Sequence, residues 1–159
     1  MGWSLDFGLR ILLRREIDTK SMIRKANISD IDALCKISSQ PGLLGYDGSS
    51  NYHEWYRELM SGKDVIFLVY EKKGEVVGMI MGEPILAKGH LLWALGISPE
   101  HSGAGIGLRL LKEYEKLCAE MGYAWIYADG YVGTINPKSA KKLGYHTNGH
   151  MFRNYVKEL

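Results

Sequence analysis

The chain has 159 residues, a formal net charge of +2, 46% hydrophobic residues and 24% charged residues, an ordinary globular balance with enough length to bury one core. So small a charge gives no argument for a nucleic-acid or acidic-membrane surface, and neither partner is expected. No segment approaches the run of roughly 20 apolar residues that a bilayer-spanning helix requires.

Residues 1–21 differ from the rest. Trp3, Leu5, Phe7, Leu9, Ile11 and Leu13 alternate with mostly polar or small residues, a strand period, and Arg14 to Lys20 is then charged. Asp6, Arg10, Arg14 and Arg15 interrupt or end the apolar part, and no small-residue cleavage site follows, which argues against a secretion signal. The alternatives are an appended strand, an arm joining a homodimer, or the product of an upstream start codon. One domain is expected over residues 22–159.

Within that domain, Ile23 to Ala26 predicts a short strand. Ser29 is expected to cap a helix carrying Ile31, Leu34, Cys35 and Ile37 at a period near 3.6. Pro41-Gly42 ends it, and a second helix is expected near Tyr52 to Met60, closed by Gly62. Val65 to Tyr70 is rich in strand formers, Lys72-Lys73-Gly74-Glu75 predicts a hairpin turn, and Val76 to Ile80 returns. Leu91 to Ile97 is nearly all apolar, as in a central strand covered on both faces. A helix follows with Leu108, Leu111, Tyr114, Leu117, Cys118 and Met121 on one face, stopped by Gly122. Ala124 to Ala128 is the next strand, so this unit forms a parallel β-loop-α-β crossover. Asn136-Pro137 starts a short helix before Gly144, and Tyr145 to Leu159 reads as one or two strands turning at Asn148-Gly149. The two cysteines, Cys35 and Cys118, lie in helical patterns beside apolar neighbours. They read as core thiols in a reducing, cytoplasmic setting rather than as a disulfide.

Glycine is the compositional outlier, with 19 residues, and its use is most pointed in Ser102-Gly103-Ala104-Gly105-Ile106-Gly107. A buried strand feeds this loop and the loop opens a helix. Glycines there let backbone amides turn toward an anion at the helix start, so a phosphate or pyrophosphate is the natural guest. The spacing is neither the dinucleotide G-x-G-x-x-G nor a P-loop, because Leu108-Arg109 stands where a Lys-Ser/Thr pair belongs.

The stretch Ile97-Ser98-Pro99-Glu100-His101-Ser102-Gly103-Ala104-Gly105-Ile106-Gly107 resembles the central Val-x-Pro-x-x-Arg/Gln-Gly-x-Gly-x-Gly motif of the Gcn5-related N-acetyltransferase family. Ile23 to Ala26 with Asp30, Gly78 to Gly82, and Gly144-Tyr145 are similar to its other landmarks, so the resemblance covers Met22 to Leu159. It implies an α+β fold: a mixed, mostly antiparallel sheet with one parallel β-loop-α-β unit and helices on both faces. It also implies acetyl-CoA as co-substrate, without a metal, and transfer of the acetyl group to a primary amine, on a small molecule or a peptide. Leu95, Gly96 and Ile97 would then bind the pantetheine arm, and Ser102, Gly103, Ala104, Gly105, Ile106, Gly107 and Leu108 the pyrophosphate, with Asn136 a further contact. Ser102 departs from the family's Arg or Gln and offers a hydroxyl instead of a guanidinium.

The same resemblance puts an oxyanion-binding amide near Ala94 or Leu95. The fourth-strand glutamate that some members use as a base is absent from Leu91-Leu92-Trp93. Leucine 143 (Leu143) stands where the usual tyrosine acid would be. The polar groups near the expected reaction centre are Glu83, after the third strand, and Asp129 and Tyr131, after the fifth. His90 reads as a surface residue. Tyr46, Asp47 and Trp55 are candidates for an acceptor pocket that suits a cationic amine. The missing tyrosine and glutamate keep open a second reading, a non-catalytic acyl-CoA-binding module.

Overall fold

A computed structural model of the chain describes residues 21–40, 52–130, 137–147 and 153–159. Among these residues seven strands form a single sheet in the order β1-β2-β3-β4-β5-β7-β6. They are β1 (Ser21–Lys25), β2 (Ile66–Lys72), β3 (Glu75–Ile85), β4 (Gly89–Ile97), β5 (Trp125–Gly130), β6 (His146–Thr147) and β7 (Arg153–Glu158). All neighbours pair antiparallel except β4 and β5, which run parallel. The helices are α1 (Ile31–Ser38), α2 (Tyr52–Ser61), α3 (Ile106–Glu120) and α4 (Pro137–Lys142).

Strand alternation divides the core in two. Phe67 and Val69 of β2, Met79 and Met81 of β3 and Ala94 of β4 pack on one face with Leu34, Ile37, Tyr56 and Leu59 of α1 and α2. Leu68, Tyr70, Val77, Ile80, Leu92, Ile126 and Ala128 pack on the other with Leu110, Leu111, Tyr114 and Cys118 of α3 and Ala140 of α4. Helices therefore cover both faces, as the family resemblance implies. Among the described residues no helix is long and apolar enough to cross a membrane.

Several sequence expectations are corrected in detail. The cap before α1 is Asn27, not Ser29: its side chain accepts from Ser29 N–H at 2.9 Å, while Asp30 accepts from Asn27 N–H at 2.8 Å across a 3₁₀ turn, Ile28–Asp30. Arg24 of β1 forks onto both Asp30 oxygens and gives its Nε–H to Glu71 of β2, so the capping carboxylate also ties helix to sheet. The β3 strand runs on to Ile85, so Glu83 and Pro84 lie inside it, Pro84 opposite His90. On α3 the buried stripe is Ile106, Leu110, Leu111, Tyr114 and Cys118; Leu108 and Met121 face solvent. The hairpin at Lys73-Gly74 stands as expected, with β2 ending at Lys72 and β3 starting at Glu75. Cys35 is half-buried, Cys118 is buried, and both are free thiols.

Candidate functional site

The β4 strand changes partners along its length. From Gly89 to Leu92 it pairs with β5, ending at Leu92 opposite Ala128, although β4 continues to Ile97 and β5 to Gly130. The break coincides with a bulge. Met81 pairs with Ala94 but Gly82 pairs with Leu92, so Trp93 is an extra residue in β4. A bulge sharpens the local twist and bends its strand, which is the physical reason that β4 leaves β5 there.

Beyond the bulge one edge of β4 is open toward β5. Ser98 N–H donates to Val77 O at 2.9 Å, so Ser98, Gly96 and Ala94 aim their amides and carbonyls at β3. Alternation then turns those of Leu95 and Ile97 outward, away from β3. An extended ligand with its own amide groups can pair with that edge as a short strand would.

The open edge leads directly into the glycine loop. Pro99–His101 forms a 3₁₀ turn, closed by Ser102 N–H on Pro99 O at 3.2 Å and by a Ser98 Oγ to His101 Nδ1 contact of 2.9 Å. Gly103 and Gly105 take φ of +80° and +75°, and a Cβ on either would meet nothing within 4 Å. Backbone conformation, not crowding, thus calls for glycine at both positions. Arg109 N–H on Gly105 O, at 3.2 Å, is the first backbone bond of α3, so the amides of Ile106, Gly107 and Leu108 precede the helical ladder. The helix has no side-chain cap and no acidic residue in its first turn. Its dipole meets no competing carboxylate there. This cradle fits a pyrophosphate, and Arg109, in the same turn, gives a Nη1–H to Tyr70 Oη at 3.1 Å.

Around the point where β4 and β5 part, the two faces differ. On the α3 side His90 is fully buried, which corrects its reading as a surface residue. Its Nε2 is 3.1 Å from the Asp64 carbonyl oxygen and its Nδ1 is 2.5 Å from Tyr114 Oη. A carbonyl only accepts, so Nε2 carries the proton and the tyrosine hydroxyl donates to Nδ1. Burial lowers the His90 pKa and raises that of Tyr114 far above the ordinary phenol value. The sequence alone gave no signal for this pair beyond Gly82, where a Cβ would come within 1.9 Å of Tyr114 Oη and 2.3 Å of Leu91 O.

On the opposite side, Trp93 Nε1–H donates to Glu83 Oε1 at 2.8 Å. Asp129 occupies the β5 position just past the last β4 pair, opposite Asn154 of β7. Tyr131 and Asn136, and Tyr46 and Asp47 of the expected acceptor pocket, lie outside the described residues. Trp55 of α2 is half-buried against the α1–α2 core, its ring 5.8 Å from Tyr52 and 5.2 Å from Tyr56. Among the described residues no group of three or more His, Cys, Asp or Glu side chains could hold a metal ion.

Residues 31–144 match the acetyltransferase (GNAT) family. No curated protein matches the chain in sequence. Solved structures resemble it closely in fold. The PaiA N-acetyltransferase from Thermoplasma acidophilum, in complex with coenzyme A, has a TM-score of 0.68 at 22% identity and covers 87% of this chain and 99% of its own. Ribosomal-protein-alanine N-acetyltransferase from Brucella melitensis scores 0.70 at 20% identity, with 87% and 99% coverage. A Gcn5-related N-acetyltransferase from Kribbella flavida scores 0.73 at 17% identity, with 89% and 99%.

Proposed function

The chain belongs to the acetyltransferase (GNAT) family, and on that premise we propose that it transfers the acetyl group of acetyl-CoA to a primary amine by direct attack in a ternary complex. The observation that carries this reading is the continuity of two features: the β4 edge freed at Trp93 and the amide cradle at the start of α3. The first suits the amide groups of pantetheine, the second the pyrophosphate. The Leu95 and Ile97 backbones would bind the arm, Gly96 between them keeping its own amide for β3. Amides from Gly103 to Leu108 would hold the phosphates, with the Ser102 hydroxyl and Asn136 as further contacts.

Acetyl-CoA supplies the acetyl thioester. The amine nitrogen attacks its carbonyl carbon and a C–N bond forms, the nitrogen gives up a proton to a base, the C–S bond breaks, and the departing thiolate takes up a proton to leave as free thiol. The outward amide of Leu95, beside the bulge, is assigned to the oxyanion. Asp129 is assigned the proton of the attacking amine because it follows the last β4–β5 pair. Tyr131, two residues further along the chain, is assigned the proton for sulfur. A base and an acid so placed each contribute on the order of a hundredfold or more.

Release of free thiol from acetyl-CoA over a panel of primary amines tests the reading. Amine-dependent release is expected, with Asp129→Asn losing at least about a hundredfold in kcat while still binding coenzyme A. Coenzyme A binding with no release for any amine would instead establish a non-catalytic acyl-CoA-binding module.

A further inference from the structure

The proposal here rests on the acetyl-transfer reading, because it takes the reaction centre to lie where β4 leaves β5. One side of that point is closed: His90, Leu92, Ile126 and Ala128 are buried toward α3. An amine must therefore approach over the other face. The α1–α2 core covers that face at β2, β3 and Ala94, and it includes none of Leu91, Trp93, Trp125 or Tyr127.

Register places these side chains together. Glu83 is opposite Leu91 on β3–β4, Leu91 is opposite Tyr127 on β4–β5, and Gly89 is opposite Trp125. Ile126 and Ala128 point toward α3, so Trp125 and Tyr127 stand on the opposite face, each partly buried and outside the described α1–α2 core. Their rings meet edge to face with centroids 6.4 Å apart. The Trp125 indole is fixed in place: its Nε1–H donates to Ala87 O at 2.9 Å, and its ring lies where a Cβ on Gly89 would come within 2.6 Å. Trp93 is 39% exposed and is held by Glu83. Among the described residues Glu83 has no cationic partner. Among the described residues the face thus presents three electron-rich rings and, at Glu83, a carboxylate with no cationic partner.

A nitrogen about to attack a thioester is neutral, so a wall of this chemistry serves a different group. Ring faces and a carboxylate favour a charged nitrogen. We infer that the acceptor carries a second, cationic nitrogen, which Trp93 and Glu83 hold while its primary amine reaches the thioester. The substrate class is a diamine or longer polycation, and Trp93, Glu83 and Tyr127 determine specificity rather than take part in the chemistry.

The test compares 1,4-diaminobutane with butylamine, using the full chain and acetyl-CoA. The diamine is expected to exceed the monoamine about tenfold or more in kcat/KM. Glu83→Gln should collapse that preference through KM of the diamine, and Trp93→Phe, which keeps a ring, should retain part of it. Thermal melts would confirm that both variants fold. Equal kcat/KM for the two amines in the unaltered protein would overturn the inference and leave acetyl transfer standing. So would a Glu83→Gln loss in kcat shared equally by both amines, since that marks a proton acceptor. A second readout is tryptophan emission titrated with 1,4-diaminobutane alone. If no amine supports thiol release, the acetyl-transfer reading fails. A saturable change that Glu83→Gln weakens about tenfold would then still uphold the cation site, and its absence would overturn it.

Discussion

His90 illustrates how a single buried residue couples the sheet to pH. It is enclosed by Tyr114 of α3, the Asp64 carbonyl and the Tyr123 ring, whose centroid lies 4.8 Å from its own. Burial lowers its pKa, and the Asp64 carbonyl, with the charges of Glu83 and Asp64, opposes that only in part. The unfolded chain therefore takes up a proton near pH 6.5 that the folded chain resists. The contribution of His90 to stability is complete above the unfolded value and is lost as pH falls through it toward the depressed folded value. Urea midpoints should decline from pH 7 to pH 5, and His90→Gln should be less stable at pH 7 but show a flatter profile across that window. A decline of the same steepness in His90→Gln would assign the effect to other groups. Asp30 has a depressed pKa as well, chiefly from its hydrogen bonds with Arg24, but its loss belongs to more acid solution, below the ordinary carboxylate range.

At the scale of elements, the start of α3 is where local sequence and the proposed function coincide. Gly105 is the N-cap, at φ +75° and ψ +8°, and its carbonyl accepts the first helical bond. A β-branched residue in that left-handed conformation costs on the order of 1–2 kcal/mol. Gly105→Val is expected to lower stability by about that amount and to weaken coenzyme A binding more than tenfold by calorimetry, because the amides of the cradle turn with it. Unaltered affinity would show that the cradle does not hold the phosphates. This loop was legible because glycine spacing, the preceding apolar strand and the following helical period are all local signals. The sequence points to Ser29 where Asn27 is the cap, and the reason is local too. A 3₁₀ turn shifts the helix start, and both residues are good caps. The eleven-residue length of β3 was hidden by Pro84, which usually ends a strand but is tolerated here opposite His90 beside the β3–β4 turn.

For the whole molecule, the parting of β4 from β5 is a tertiary feature that ligand binding should stabilise. Beyond it, Glu115 of α3 draws β7 and the segment after α4 together, accepting from Tyr145 Oη at 3.0 Å and Lys157 Nζ at 2.8 Å. Binding to the folded state alone contributes about 2.7 kcal/mol at a hundred times Kd. For a domain of this size that corresponds to a rise of roughly 5–10 °C in Tm. Coenzyme A is expected to produce such a shift in a thermal melt, and NAD none. The reverse pattern would return the glycine loop to a dinucleotide reading.

The residues by themselves determined the element order, the parallel crossover around α3, the glycine cradle and the family resemblance. Each rests on periodicity or conformational preference within a short stretch of chain. Only the tertiary structure decided that Trp93 is the extra residue of a bulge, that His90 is buried beneath Tyr114, and that Trp125, Tyr127 and Glu83 share a face. Those facts depend on register between strands and on which face a helix covers. Register is set by packing across the sheet, where a shift of one residue reverses every side chain, and no local pattern in β4 or β5 records its outcome.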